Sequence, residues 1–195
     1  MIYKKYDKYN CPYQRVEYIQ GNGAQINVQT NISVNDLNNA SYIEYTTDCI
    51  IPNNINGAEG KNQTYFFIGT SSNKFYSGCG SVWQTSSTLN DGNRHIIKLI
   101  KENTQCKLYL DNNIIDSYNF YSRAGLENFG MFCCIDYSAH LNNQKKYYAK
   151  LQINDNILFE MIPVRIKEIG YMYDTVTKQL YGTNNLSNFI IGSDL

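Results

Sequence analysis

Apolar and polar residues alternate with a period of two along most of this chain. In QINVQT, Ile26 and Val28 alternate with Gln25, Asn27 and Gln29. In YYAKLQI, Tyr147, Ala149, Leu151 and Ile153 alternate with Tyr148, Lys150 and Gln152. Successive side chains of a strand point to opposite faces, so this alternation predicts strands with one face buried and one wet. Runs of the same kind recur at YQRVEYI, SYIEYTTD, TYFFIG, RHIIKLI, CKLYLD, FGMFCCI and ILFEMI, separated by Asn, Gly, Asp and Ser clusters that supply turns. Ten or so strands and no helical stretch predict an all-β fold, an antiparallel two-sheet β-sandwich.

Two hairpins are readable in detail. In KLYLDNNIIDSYNF the Asp111-Asn112-Asn113 centre tolerates the positive φ angles of a tight turn between apolar flanks. In GYMYDTVTKQLYG, Gly170 precedes Tyr171 and Tyr173 on one face of a strand, Asp174 opens a Thr175–Lys178 turn, and Tyr181 is expected to meet the two tyrosines across it. A cross-strand aromatic cluster of this kind closes a sheet. No repeat, linker or low-complexity block interrupts residues 13–195, which read as one domain. Residues 1–12, rich in Tyr and Lys and ending in Cys11-Pro12, read as an N-terminal arm or attachment segment.

Composition narrows the function. With 195 residues, 43% apolar and 17% charged, the chain is long enough for one well-buried domain. Its formal charge is zero, so no basic patch marks a nucleic-acid partner. No apolar run approaches the roughly 20 residues of a membrane span, and MIYKKYDKYNCPYQ lacks the apolar core of a secretion signal, which predicts synthesis in a cytoplasm without a signal peptide. All six cysteines (Cys11, Cys49, Cys79, Cys106, Cys133, Cys134) are accordingly expected as free thiols.

Few residues of the chain carry a recognisable catalytic or metal-binding pattern. Glycosidases flank the scissile bond with two carboxylates, and a Glu-x-Asp-x-x-Glu strand would carry them, but no such segment occurs. Glu44 and Asp48 come nearest and lack a third acid. His95 begins a strand, His140 sits in a polar loop, and neither neighbours a nucleophile signature. Catalysis is not expected, and no cofactor is implied. Calcium is the one metal worth naming, with Asp91 in LNDGNR or Asp136 in CIDYS as ligands, although Asp91-Gly92 is equally a turn. For a sugar, the informative stretch is NKFYSGCGSVWQTSSTLNDGNRH, where Phe75, Tyr76 and the single tryptophan, Trp83, stand among polar loop residues. Tyr76, Trp83 and Asp91 are the candidate ligand-binding residues.

The opening YQRVEYIQGNGAQINVQTNI, the middle RHIIKLIKENTQCKLYLDNNII and the ending from YYAKLQIND to NFIIG resemble, in order, modules of a concanavalin A-like (LamG-like) jelly-roll family of phage and prophage structural proteins. The most specific part is Ile162-Pro163-Val164-Arg165 followed by Gly170 through Asp174, Tyr181 and Phe189. The resemblance implies a jelly roll of the lectin and glucanase type. It also implies a non-enzymatic virion component: a capsid decoration, head-fibre or tail-associated protein, homo-oligomeric or embedded in a larger assembly. Its partners would be other virion proteins, with residues 1–12 as the attachment. The alternative is a carbohydrate-binding receptor-recognition module facing a host glycan, and a glycoside hydrolase stands third.

Overall fold

The computed structural model describes residues 9–21, 28–30, 39–51, 57–61, 66–71, 74–79, 82–88, 91–121, 129–131, 144–182 and 189–195. In chain order the strands begin with β1 (Gln14–Arg15), β2 (Ile19–Gly21), β3 (Val28–Gln29), β4 (Tyr42–Ile50), β5 (Gly57–Lys61) and β6 (Phe66–Ser71). β7 (Lys74–Gly78), β8 (Val82–Thr88), β9 (Arg94–Glu102), β10 (Gln105–Leu110), β11 (Asn113–Asn119) and β12 (Gly130–Met131) follow. The chain ends with β13 (Lys145–Ile153), β14 (Asn156–Ile166), β15 (Ile169–Asp174), β16 (Leu180–Tyr181) and β17 (Phe189–Ile191). No helix occurs among the described residues, and hence none there that could cross a membrane.

Two antiparallel sheets form a jelly-roll sandwich. The larger runs β11-β10-β9-β4-β13-β14-β15-β16, with β1 added to β14 and with β2 joining β13 to β17; the smaller runs β3-β12-β5-β6-β7-β8. Neighbours in the larger sheet are distant in sequence, as in β4 between β9 and β13, so its centre forms only when the whole chain is present. The strand count exceeds ten largely because β1, β3, β12 and β16 are two residues long and β2 and β17 three, too short for any period to signal.

The core lies between the sheets. Ile43, Tyr45 and Cys49 of β4, Ile97 and Leu99 of β9, Leu151 of β13 and Phe159 of β14 meet Phe66, Ile68 and Phe75 of the smaller sheet. Tyr45, Phe129 and Phe159 centre it, with ring centroids 4.8 Å (Tyr45–Phe129) and 5.8 Å (Phe129–Phe159) apart in tilted and edge-on arrangements. The Asp111-Asn112 hairpin is as expected: both residues have positive φ, and Leu110 pairs with Asn113 across a two-residue turn.

Three expectations are corrected. Cys79 and Cys106 form a disulfide, not two thiols. Cys79 follows β7 in the smaller sheet and Cys106 lies in β10 of the larger one; both are fully buried with Cα atoms 6.5 Å apart, so the bridge pins sheet to sheet. That proximity is produced by the fold and leaves no trace in cysteine spacing. Cys49 is buried and Cys11 partly so, and Cys133 and Cys134 lie outside the described residues.

The second correction concerns Tyr181. It pairs with Met172, and Leu180 pairs with Tyr173, so Tyr181 packs on the inner core while Tyr171 and Tyr173 lie on the outer face of the larger sheet. The loop length sets this parity, since a slip of one residue turns every side chain over. Tyr173 finds its aromatic partner in Tyr13 instead. Gly170 sits on the inner face, where a Cβ would come within 3.1 Å of the Ile19 side chain, which would have to give way.

The third concerns Tyr147. Cys49 pairs with Lys146 and Asp48 with Tyr148, leaving Tyr147 as the extra residue of a β-bulge. Ala149, Leu151 and Ile153 face the core as the alternation predicts, but the inward position before them goes to Lys146, fully buried with its Nζ donating to Thr47 Oγ1 at 2.7 Å. Tyr147 is turned outward beside Tyr148.

Candidate functional site

The bulge has a consequence at the surface. Tyr147 and Tyr148, adjacent in sequence, both line a groove of about 620 Å³ on the face of the larger sheet turned away from the core. That volume is within the range of small-molecule sites, about 300–1,000 Å³. Its floor comes from the outward-facing positions of three neighbouring strands: Asp48 of β4, Tyr148 of β13, and Glu160 and Ile162 of β14. The chain ends build its wall, with Tyr9, Arg15 and Glu17 on one side and Leu195 beside them. Leu195 N donates to Arg15 O at 3.0 Å and Glu17 N to Ser193 O at 2.8 Å, so the two termini hold each other in place.

Polar groups in the groove are fixed by their neighbours. Arg94 donates from Nε and Nη2 to the two oxygens of Asp48 at 2.8 and 2.7 Å, a bidentate pair. Its guanidinium also lies 3.8 Å from the centre of the Tyr147 ring, and Tyr147 in turn packs against Tyr18 at 5.6 Å. The Asp48 contact keeps the Arg94 guanidinium protonated even more firmly than usual, against the opposing effect of burial. Burial, with Glu17 adding to it, raises the Tyr147 phenol above its ordinary value, and Tyr148 is raised likewise, so these two hydroxyls are neutral at neutral pH. For Tyr148 the causes are burial and then the hydrogen bond to Glu160.

Glu160 is held by the C-terminal hairpin. Its Oε1 accepts from Tyr148 Oη at 3.0 Å and its Oε2 from Thr175 Oγ1 at 3.3 Å. Its backbone N donates to Asp174 Oδ1 at 3.1 Å. Asp174, fully buried, also accepts from the Val176 N at 2.9 Å and from Thr177 Oγ1 at 2.5 Å, and so caps the turn. The Asp-Thr-Val-Thr segment of the sequence is therefore a brace behind a groove carboxylate.

The sequence-derived ligand residues are elsewhere. Tyr76 of β7 lies opposite Gln84 and Trp83 of β8 opposite Ser77, both in the smaller sheet; their side chains lie outside the described residues. Asp91 is exposed at the end of the sandwich. Its carboxylate accepts from the Asn93 N and Nδ2, both at 2.8 Å, which holds it down at about 2, and its Oδ1 also meets His95 Nε2 at 3.1 Å. Asp111 contacts the other ring nitrogen of His95 at 2.6 Å. Asp136 and His140 fall outside the described residues, and among those described no three His, Cys, Asp or Glu side chains converge as metal ligands. Of the groove residues, Asp48 stands out in the sequence only as half of an incomplete acid pair. Tyr-Tyr at 147–148 was the available signal, hidden because alternation assigned one of the two to the core.

Compared by sequence, the chain matches none of the protein-family models and none of the curated proteins. Its fold is similar to that of a proposed carbohydrate-binding protein from Bacteroides ovatus ATCC 8483, with a TM-score of 0.62, 9% identity, and coverage of 93% of this chain and 61% of that one. It is also similar to domains LG4-5 of the mouse laminin α1 chain, with a TM-score of 0.50, 12% identity, and coverage of 77% and 47%. A looser likeness, to an alginate lyase of polysaccharide lyase family 7, has a TM-score of 0.36, 14% identity, and coverage of 58% and 59%, and bears on nothing further. The chain thus spans about three fifths and one half of the first two proteins. What these likenesses establish is the concanavalin-like β-sandwich itself.

Proposed function

We propose that this chain is a non-enzymatic, lectin-like glycan-binding module and that its site is the groove over β13 and β14. The observation that carries the reading is the bulged Tyr147-Tyr148 pair, set between the Arg94–Asp48 pair on one side and Glu160 on the other. Aromatic faces beside fixed donors and acceptors suit sugar rings, whose C–H faces stack and whose hydroxyls need partners of both kinds. Each of the two inner carboxylates accepts from a protein donor, which fixes the acceptor positions a sugar hydroxyl would meet. The Bacteroides ovatus protein, itself proposed to bind carbohydrate, shares the sandwich.

The resemblance of the C-terminal motif to phage and prophage proteins supports setting the module on a virion, as a receptor-recognition part. The Cys79–Cys106 bridge is in keeping with an oxidising setting such as a particle surface. Glycan-array binding of the full chain tests the function, with Tyr148→Ala expected to lose at least about tenfold in affinity (~1.4 kcal/mol) at unchanged melting temperature. A blank array for the wild-type chain refutes the reading. Immunogold labelling of virions tests the setting separately.

A further inference from the structure

We infer that the groove selects uncharged oligosaccharides, and that Asp48 sets this selectivity by occupying the guanidinium edge of Arg94. The inference rests on the glycan-binding reading and names the class of glycan. An acidic sugar, uronate or sulfate, is recognised most strongly by an arginine fork open to a planar anion. In this groove the Nε and Nη2 donors of Arg94 are both directed to Asp48, and one side of the guanidinium plane is taken up by Tyr147. Arg15, the other guanidinium of the groove, lies over the Tyr9 ring at 5.1 Å.

The charge balance points the same way. Glu17, Asp48 and Glu160 set three carboxylates against the two guanidiniums, so an anionic ligand meets net repulsion. An uncharged sugar meets the opposite situation. The oxygens of Asp48 and Glu160 retain lone pairs for sugar hydroxyls, the phenols of Tyr147 and Tyr148 are un-ionised, and the groove contains both acceptors and donors at fixed positions.

The test is calorimetric titration of the full chain at two salt concentrations. The probes are neutral gluco- and manno-oligosaccharides on one side, and oligogalacturonate and a sulfated oligosaccharide on the other. The wild type is expected to bind a neutral probe with affinity little changed by salt, and to bind the acidic ones at least about tenfold more weakly. In Asp48→Asn the amide oxygen can replace only one of the two acceptors and carries no charge, so part of the Arg94 edge is released; neutral binding should fall about tenfold while a salt-sensitive affinity for oligogalacturonate appears. The double variant Asp48→Asn with Arg94→Gln should lack that gain.

A wild type that prefers the acidic probes overturns the inference and leaves the glycan-binding reading standing. Binding of neither class overturns both. A folded Asp48→Asn protein with no gain for oligogalacturonate overturns the role given to Asp48; if that variant fails to fold, the wild-type preference and its salt dependence decide the selectivity.

Discussion

The ring of Tyr13 stands edge-on to that of Tyr173, with centroids 5.3 Å apart and planes at 76°, and so joins the start of the chain to the C-terminal hairpin. The two belong to a small apolar cluster on the outer face of the larger sheet. Ile162, Val164 and Tyr173 are its buried members, and Tyr9 and Cys11 pack over them. Edge-on aromatic pairs contribute about 0.5–1.5 kcal/mol beyond the area they bury. Tyr13→Ala is therefore expected to cost about 1–2 kcal/mol in urea unfolding, and Tyr173→Ala, which empties a buried site, about 3–5 kcal/mol. Equal and negligible costs would show that this outer cluster does not stabilise the fold.

Tyr9 belongs to the segment read from sequence as an arm, yet it lines the groove. Deleting residues 1–12 should leave a folded sandwich whose glycan affinity is down by at least about tenfold, because one wall of the site goes with them. Undiminished binding by the truncated chain would move the site away from the chain ends.

His95 ties two loops at the end of the sandwich through Asp111 at 2.6 Å and Asp91 at 3.1 Å. Burial of the ring opposes its charge, but the hydrogen bonds to Asp111 and Asp91 outweigh it, and the imidazole is raised above its ordinary 6.5. A raised histidine stabilises the fold fully below its unfolded value and loses that contribution as pH rises through the folded one. The two carboxylates are lowered, Asp91 chiefly by Asn93 and Asp111 by His95 against the opposing effect of burial. Their contribution is present above the usual carboxylate range and fades as pH falls through their folded values. The melting-temperature gap between wild type and His95→Gln should thus be widest between about pH 4 and 6.5 and close at higher pH. A gap that is flat across pH would mean the clasp carries no charge.

The Cys79–Cys106 bridge closes a loop with a sequence separation of 27 residues. On loop entropy alone it contributes about 3.5 kcal/mol. Cys79→Ser with Cys106→Ser should unfold at correspondingly lower denaturant, and reducing agent should lower the wild type to a similar midpoint. Identical midpoints with and without reductant would argue against the bridge.

Asp174 accepts from Glu160, Val176 and Thr177 while wholly buried. Removing it orphans these donors, so Asp174→Ala should cost about 3 kcal/mol and disturb glycan binding through Glu160 even where the fold survives at low temperature. Retention of full affinity in the folded variant would separate the hairpin from the site.

Sequence alone determined the local features. Alternation of apolar residues along SYIEYTTD, RHIIKLI and CKLYLD depends only on neighbours in the chain, and it correctly predicts β4, β9, β10 and the all-β class. The Asp111-Asn112 turn was legible for the same reason, since tolerance of positive φ is a property of Asp and Asn themselves. Tertiary structure decided whatever depends on pairing at a distance. One extra residue opposite β4 turned Tyr147 out and Lys146 in, and the register after Asp174 put Tyr181 on the opposite face from Tyr173. Sheet stacking joined Cys79 to Cys106, and the groove gathered Tyr9, Asp48, Arg94, Tyr148, Glu160 and Leu195 from across the chain. Period two tells which residues share a face within one strand; which face a bulge or a loop leaves outward is set by the partner strand, and no local pattern encodes it.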